Sequence, residues 1–334
     1  KSPKYGEKLK SNQVDWLGIF LLMAFIGSLQ YVLEHGQQDD WFNNKTIIIL
    51  STITVFGLVL FIWRELTYKR PVVNLGVLKD GNLRIGTVMC FILGFGLYGS
   101  TLIIPIYTQT ILGWTATDAG LLLIPGSITT AFMMPIVGKL LQRGVPQSYM
   151  VGLGFLIFFF FTYMMHNNMT PSTGVEHLYW GLILRGIGLG LLFVPITTLS
   201  LSTLKGKDIG EGAAFTGMMR QLGGSFGIAT ITTFITRFNQ EHRVNLVSHL
   251  DTTRLEVQQR VLTLQKGFMS KGFTANESLN KAYQVIDYSV MKQSAVLSYM
   301  DIFLYLGIMF LCCIPIIFLI KKGKNTINPA DAMH

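Results

Sequence analysis

Long uncharged stretches constrain this chain more than any other feature of its sequence. Only 13% of its 334 residues are charged, about half the fraction expected of a soluble domain, and the charges fall in clusters. An uncharged stretch of about 20 residues is long enough for an α-helix to cross a hydrocarbon core of about 30 Å. We predict eight such spans: Trp16–Leu33, Thr46–Trp63, Ile85–Gln109, Ala119–Gly138, Ser148–Met165, Leu178–Leu199, Ala213–Ile235 and Ile302–Ile320.

The stretches are continuously apolar, whereas strands of a membrane barrel alternate lipid-facing and lumen-facing residues over about ten positions. The predicted fold class is therefore an all-α polytopic membrane protein. Its spans divide into a pair and a group of six. The predicted segments are a linker at 1–13, a transmembrane hairpin at 14–63, a linker at 64–84, a six-helix unit at 85–320 with an outer excursion at 237–298, and a tail at 321–334.

Lysine and arginine are distributed unevenly between the two sides of these spans. With Lys1 on the inner side, sixteen of them fall in inner loops and tails, and only Lys45 falls in a short outer loop. Because positive residues are retained in the cytoplasm, both ends of the chain are predicted to be cytoplasmic. The eight cations of residues 237–298 do not overturn this, since long loops translocate regardless of charge. The net charge of +9 is largely this retention signal and needs no nucleic-acid partner.

The outer excursion has the pattern of two helices. Val257, Val261, Leu264 and Phe268 recur at helical spacing, and Gly272 follows as a helix end. Thr274 and Glu277 then match a capping box, which predicts a second helix running into the last span. The excursion is interpreted either as a self-packed outer cap or as a docking surface for another protein.

The sequence contains no phosphate-binding loop, nucleophile constellation or metal-ligand cluster. Cys90, Cys312 and Cys313 lie inside spans, where a reduced cysteine behaves as a small apolar residue. We therefore predict no catalytic residue, no metal site and no cofactor. The chain begins with Lys1 rather than Met, which we interpret as a fragment whose N-terminal portion is missing.

Three stretches carry a family resemblance. They are Leu123–Gly126 continuing through Pro135 to Gly138–Gly144, Leu184–Gly190 followed by Phe193–Pro195, and Arg220–Gly227. Together with Asp15–Trp16 and Trp41–Phe42, they resemble the fourteen-helix drug/proton antiporters of the major facilitator superfamily, in the EmrB-like branch.

The resemblance implies that the first two spans are the family's extra helix pair, that the other six are its C-terminal half, and that the N-terminal six-helix half is missing. It implies proton-coupled export of amphiphilic drugs across the inner membrane by alternating access. The long outer loop resembles that of pumps working with a periplasmic membrane-fusion adaptor and an outer-membrane channel. The alternative is a non-transporting scaffold that anchors an outer partner through residues 237–298.

Arg185 and Arg220 each lie inside a span, where a charge costs about 2.5–3.5 kcal/mol on insertion scales. Either they snorkel toward an interface, or they point into a transport cavity and pair with carboxylates of the missing half. Other polar residues of the spans would line that cavity or simply bridge helices. These further cavity candidates are Gln221, Tyr107, Gln109, Thr129 and Thr197.

Several glycines and cations are candidates for packing or gating. Gly186 with Gly190, and Gly223 with Gly227, have the spacing that brings membrane helices close together. Gly138, Lys139 and Arg143 resemble the superfamily's loop motif, in which basic residues brace a cytoplasmic gate. Here Gln142 replaces the motif's acidic residue, and simple positive-inside anchoring is the alternative for the two cations.

A coupled proton needs a titratable carrier, and no carboxylate lies deep in a predicted span. Asp118 and Asp301, at the outer ends of their spans, are the local candidates for a proton path. Helix capping or outer-loop contacts are the alternative role. The resemblance implies that the coupling carboxylates belong to the missing half.

Overall fold

The chain is helical in a computed structural model that describes residues 15–68, 75–251 and 253–319. Those residues contain no strand, so the all-α fold class is confirmed. Short 3-10 helices at Trp41–Asn43, Leu75–Lys79 and Ile314–Leu319 join or extend the longer ones. The α-helices are α1 (Trp16–His35), α2 (Lys45–Thr67), α3 (Gly81–Thr110), α4 (Ala116–Leu122), α5 (Ile124–Gln142), α6 (Gln147–Asn168), α7 (Val175–Leu201), α8 (Lys207–Ser248), α9 (Leu255–Met269) and α10 (Ala275–Cys312).

Seven helical stretches of the described residues are long and apolar enough to cross a membrane. They contain six of the eight predicted spans whole and the last one up to Ile317, and Ile320 at its end lies outside the described residues. The remaining predicted span, Ala213–Ile235, lies in the 42-residue helix α8. This part of α8 is less apolar than the other predicted spans, because it contains Arg220 and Gln221 and several glycine, serine and threonine residues after them. This part of α8 packs along α3 and α10, and its glycines Gly223, Gly224 and Gly227 lie against α3.

The fourth predicted span contains a break that the sequence pattern did not indicate. The chain turns at Leu123, so that Ala119–Gly138 is divided between α4 and α5. Pro125 lies in the first turn of α5, where its missing N–H is tolerated, but it cannot continue the hydrogen bonding of a preceding helix. The proline therefore accounts for the break.

The core lies between α3, α6, α7 and α10. Leu93, Ile103, Phe158, Leu192 and Phe303 are buried there and belong to one apolar cluster. Of the 18 residues in the most apolar stretch of each helix, 61% are buried in α3 and in α7, against 22% in α1 and in α2. The hairpin α1–α2 is therefore peripheral, and it reaches the other helices mainly through α1 and α8.

Polar contacts hold the hairpin at both of its ends. At the end that carries Asp15, its carboxylate accepts a hydrogen bond from the Gly18 N–H and pairs with Arg64 at 3.1 Å. The guanidinium of Arg64 holds the pKa of Asp15 below its ordinary value. At the opposite end, Thr233 of α8 donates a hydrogen bond of 3.2 Å to the side-chain oxygen of Gln37.

The outer excursion is helical, as the sequence predicts, but α8 contributes more of it than expected. That helix continues beyond Ile235 to Ser248 before α9 begins. The predicted capping box is present, because Thr274 and Glu277 each accept a hydrogen bond from the other's backbone N–H. The helix that it starts runs without interruption into the last span, and α9 packs against it.

Candidate functional site

Arg185 on α7 is buried against α3, with 5% of its surface exposed. Its Nε donates a hydrogen bond of 2.9 Å to the Ser100 hydroxyl, and one terminal nitrogen donates to the Leu97 carbonyl and the Thr101 hydroxyl. No described carboxylate lies within salt-bridge distance of this cation. Arg185 thus satisfies its donors with neutral oxygens inside the bundle rather than by snorkelling toward an interface, and its role in a transport cavity stays a prediction.

Arg220 on α8 is in a different environment. Its guanidinium carbon lies 4.6 Å above the centre of the Phe193 ring on α7, and the side chain is half-buried. Within the described part of the chain, the guanidinium has no hydrogen bond and no ion pair. The ring face attracts the cation, but the N–H donors at the edge of the guanidinium remain available.

Close approach between helices explains how Arg220 is positioned. A Cβ placed at Gly94 of α3 would overlap the carbonyl group of Arg220, and a Cβ at Gly223 would overlap that of Phe91. At Gly227, the next position of this spacing, a Cβ would lie 2.7 Å from the Phe95 carbonyl oxygen. Glycine at these positions therefore lets the backbones of α3 and α8 touch.

Gly186 and Gly190 of α7 allow a similarly close approach between α7 and α5. A Cβ at Gly186 would collide with Gly126 and with Thr129, and one at Gly190 would lie 2.5 Å from the Met133 Cβ. The Thr130 hydroxyl also donates a hydrogen bond of 3.2 Å to the Gly186 carbonyl. These contacts place α5 directly against α7.

The remaining cavity candidates do not converge on one site. Tyr107 is fully buried and donates from its hydroxyl to the Thr170 carbonyl at 2.6 Å, a contact that favours the alternative role of bridging elements. Gln109 is exposed near the outer end of α3. Thr129 and Thr197 donate to carbonyls one turn earlier in their own helices.

Gln221 lies beside Arg220 and accepts a hydrogen bond of 3.0 Å from the Tyr98 hydroxyl of α3. Among the described residues, the recorded side-chain neighbour of the Arg220 guanidinium is Phe193 of α7. The Tyr98–Gln221 pair is a separate contact between α3 and α8. Tyr98 was not among the sequence candidates. Its position seven residues after Phe91, on the face of α3 that meets the glycines of α8, is the signal that indicates it.

Asp118 and Asp301 have distinct roles in the structure. Asp118 is exposed in the first turn of α4 and accepts a hydrogen bond of 2.6 Å from the Thr115 hydroxyl, which is a capping contact. Asp301 on α10 instead lies 2.7 Å from the Nε2 of His242 on α8. The two aspartates belong to separate groups of contacts.

His242 was not among the sequence candidates, because it lies on the part of α8 beyond the predicted span Ala213–Ile235. A signal for it exists in the helical period. Ile235 and Phe238 pack against the core, and His242 lies seven and four positions after them on the same helix face. Two further contacts join α8 to α10 nearby: Arg243 with Asp287 at 2.9 Å and Ser294 with Asn239 at 2.6 Å.

The loop-motif residues are at the inner end of α5. Lys139 and Arg143 are exposed and form no ion pair with a described residue. A Cβ at Gly138 would meet nothing within 4 Å, so this glycine packs closely against none of the described residues. A packing role for Gly138 and a gate role for the two cations stay predictions.

The described residues contain no group of three or more His, Cys, Asp or Glu side chains that could hold a metal ion. Arg220 and Phe193 offer a cation and an aromatic face, and Tyr98 with Gln221 offers an amide–phenol pair elsewhere on the contact between α3 and α8. Such groups can bind and orient a molecule, and none of them is a nucleophile beside a base.

Comparison with known proteins gives a consistent result. Residues 11–228 match the family model described as Major Facilitator Superfamily. The chain is 30% identical over 308 residues to "Fatty acid resistance protein FarB" of Neisseria gonorrhoeae, covering 92% of this chain and 59% of that protein. It is 29% identical over 245 residues to "Multidrug export protein EmrB" of Escherichia coli strain K12, covering 73% and 48%.

A third relative is "Colistin resistance protein EmrB" of Acinetobacter baumannii, which is 23% identical over 314 residues. That match covers 93% of this chain and 60% of the relative. The chain therefore spans about half to three-fifths of the length of these relatives.

Proposed function

Because the chain belongs to the major facilitator superfamily, we propose that it is part of a proton-coupled exporter of amphiphilic toxic compounds. The observation that carries this proposal is Arg220, a cation at membrane depth whose donors are open. The printed names of the relatives, which include multidrug export and fatty acid resistance, support export of small apolar molecules.

We assign the segments accordingly. Residues 85–320 form the C-terminal six-helix half, residues 14–63 form the extra hairpin, and 1–13, 64–84 and 321–334 lie on the cytoplasmic side of the inner membrane. An N-terminal six-helix half would supply the coupling carboxylates and the opposite wall of the cavity. Substrate would cross by alternating access between the two halves.

We assign proton uptake from the outer side to Asp301 rather than to Asp118. Asp301 has a titratable partner, His242, and both lie near the outer end of the contact between α8 and α10. The Asp118 carboxylate already accepts a hydrogen bond from Thr115, the N-cap residue of α4. At the inner side, Lys139 and Arg143 would brace the cytoplasmic gate through residues outside this chain.

The outer excursion is proposed as the docking surface for a periplasmic adaptor, which would connect the pump to an outer-membrane channel. Large apolar side chains are exposed along it, including Val244 at 69%, Leu255 at 67% and Leu262 at 51%. Such side chains on a helical hairpin outside the membrane favour contact with another protein.

The test is dye efflux by the full-length protein in everted membrane vesicles. We expect dye accumulation that starts when a proton gradient is imposed and stops when a protonophore collapses it. Accumulation that is insensitive to the protonophore would contradict proton coupling. No accumulation, together with retained pull-down of an outer partner that is lost when residues 237–298 are deleted, would favour the scaffold instead.

A further inference from the structure

We propose that His166 of α6 is a positioning residue for Asp301, because it holds the turn of α10 that presents this carboxylate to His242. The inference rests on the proposed uptake of protons at the pair of Asp301 and His242, and it adds a third residue to that site. It starts from the way in which this turn of α10 is attached to the neighbouring helices.

Three consecutive residues of α10 each contact a different neighbouring helix, and we call them the α10 collar. The pairs are Tyr299 with Thr110 of α3 at 3.2 Å, Met300 with His166 of α6 at 2.8 Å, and Asp301 with His242 of α8 at 2.7 Å. Because these contacts lead to three different helices, the α10 collar fixes both the rotation and the height of α10 in the bundle.

The α10 collar lies near the outer edge of the apolar core. The core cluster includes Ala295 and residues of α10 that follow it, but none of the described residues of α10 before it. The helix begins at Ala275, 26 residues before Asp301, which is about 39 Å at 1.5 Å per residue. The collar therefore holds Asp301 in place against movements of a long outer segment of the same helix.

The hydrogen bond from His166 acts on the backbone of Asp301 itself. A carbonyl oxygen can only accept, so the Nδ1 of His166 is the donor to the Met300 carbonyl. That carbonyl belongs to the peptide group that joins Met300 to Asp301, and a peptide group is planar. Holding its oxygen therefore fixes the plane next to the Asp301 Cα, from which the carboxylate extends.

The contact between Asp301 and His242 depends on such a fixed turn. A hydrogen bond of 2.7 Å is lost when its two heavy atoms move apart by about 1 Å. Both side chains are partly exposed, at 41% for Asp301 and 24% for His242, so packing alone holds them only loosely. The position of the α10 backbone then decides whether the carboxylate stays beside the ring.

His166 can fill this role without a change of its own charge. The Nδ1 carries a hydrogen both in the neutral ring that donates to Met300 and in the protonated ring, so the contact exists in both states. The side-chain amide nitrogen of asparagine occupies the place of Nδ1 and is also a donor. Asparagine should therefore replace His166, whereas alanine should not.

The experiment measures proton-driven dye efflux by the full-length transporter in membrane vesicles at matched protein level. The variants are His166→Ala, His166→Asn, Asp301→Asn, the double variant of His166→Ala with Asp301→Asn, and the control His177→Ala, which removes an exposed histidine in the first turn of α7. We expect His166→Ala to lower efflux about fivefold, since one net hydrogen bond is lost. His166→Asn and His177→Ala should keep wild-type efflux. In the Asp301→Asn background, His166→Ala should have no further effect, because the group that it positions is already removed.

Hydrogen exchange gives a second measurement, which does not depend on transport. In the purified full-length transporter, the amides of the turn that contains Asp301 should exchange about fivefold faster in His166→Ala than in wild type. They should exchange at the wild-type rate in His166→Asn. Wild-type exchange in His166→Ala would show that His166 does not hold this turn.

Three efflux results would overturn the inference. Wild-type efflux in His166→Ala alongside impaired efflux in Asp301→Asn would show that Asp301 does not depend on His166. An equal loss in His166→Asn and His166→Ala would assign the role to the imidazole ring or its charge. A further loss when His166→Ala is added to Asp301→Asn would assign His166 to the fold. Wild-type efflux in Asp301→Asn would instead contradict the proposed proton uptake, and the exchange rates would still test the attachment of the turn.

Discussion

The Nε of Arg185 donates a hydrogen bond of 2.9 Å to the hydroxyl of Ser100, across the contact between α7 and α3. These are the two most deeply buried spans of the described chain. The bond therefore joins α7 to α3 at the centre of the bundle. Arg185 has hydrogen-bond acceptors on another helix, whereas the guanidinium of Arg220 has none among the described residues.

Removing the Ser100 hydroxyl should destabilise the protein, because a buried guanidinium donor loses its acceptor. We expect Ser100→Ala to lower the free energy of unfolding by about 1–2 kcal/mol, the range for hydrogen bonds between membrane helices. Thermal unfolding in detergent measures it. The control is Ser127→Ala, whose exposed hydroxyl bonds only within α5; an equal effect of both changes would show that the contact with Arg185 adds nothing.

The approach of α3 and α8 predicts a steric effect at Gly223. A methyl group there would overlap the Phe91 carbonyl, so Gly223→Ala should destabilise by about 1–3 kcal/mol, as overpacking does. Gly210→Ala on the same helix, where a Cβ meets nothing within 4 Å, should be neutral or slightly stabilising. Comparable unfolding midpoints for the two variants would refute close packing at Gly223.

The contact between His242 and Asp301 predicts a transport phenotype. If this pair takes up protons on the outer side, Asp301→Asn and His242→Gln should each lower proton-driven efflux without lowering expression. Asp287→Asn is the control, because it breaks an exposed ion pair between the same two helices. Two results would contradict the assignment of proton uptake to this pair. One is efflux at the wild-type level in Asp301→Asn, and the other is an equal loss of efflux in Asp287→Asn.

The pair of Asp15 and Arg64 predicts an acid-sensitive closure of the first hairpin. The pKa of Asp15 is lowered from its ordinary value of 3.8, chiefly because Arg64 donates hydrogen bonds to the carboxylate. The contact therefore stabilises the folded state at neutral pH. The stabilisation is lost as the pH falls through the lowered pKa of the folded state. The unfolding midpoint of wild type should exceed that of Arg64→Gln at pH 7, and this difference should shrink below pH 3.8.

In Arg243→Gln, whose partner Asp287 is exposed, the corresponding difference from wild type should be close to zero at both pH values. If the difference in unfolding midpoint between wild type and Arg64→Gln stays constant down to pH 3, Asp15 is not the group that titrates beside Arg64.

The spans could be predicted from the sequence because continuous apolar runs depend only on local composition. The partners of Arg185 could not, since Ser100 and Thr101 are more than eighty residues away and become neighbours only when α3 packs against α7. The extension of α8 beyond Ile235 was missed for a different reason: its outer part is polar, so the apolar pattern ends before the helix does.

The same difference between local pattern and distant contact applies to the candidate site. The glycine spacing indicated where helices touch, because spacing is a property of one helix. Whether a polar side chain faces protein or a cavity depends on its neighbours, and Tyr107 is the example, since its hydroxyl is held by the Thr170 carbonyl. Phe193 and His242 acquire their roles only through contacts with α8 and α10.

Helix α8 is a single uninterrupted rod of 42 residues, longer than the membrane is thick. Ser248, its last residue, lies 28 residues beyond Arg220, about 42 Å at 1.5 Å per residue. A tilt of about 10° around Arg220 would therefore swing the outer end by about 7 Å, given the same rise. The rod thus has the geometry of a lever, because a small tilt at the depth of Arg220 becomes a displacement of several ångströms at Ser248.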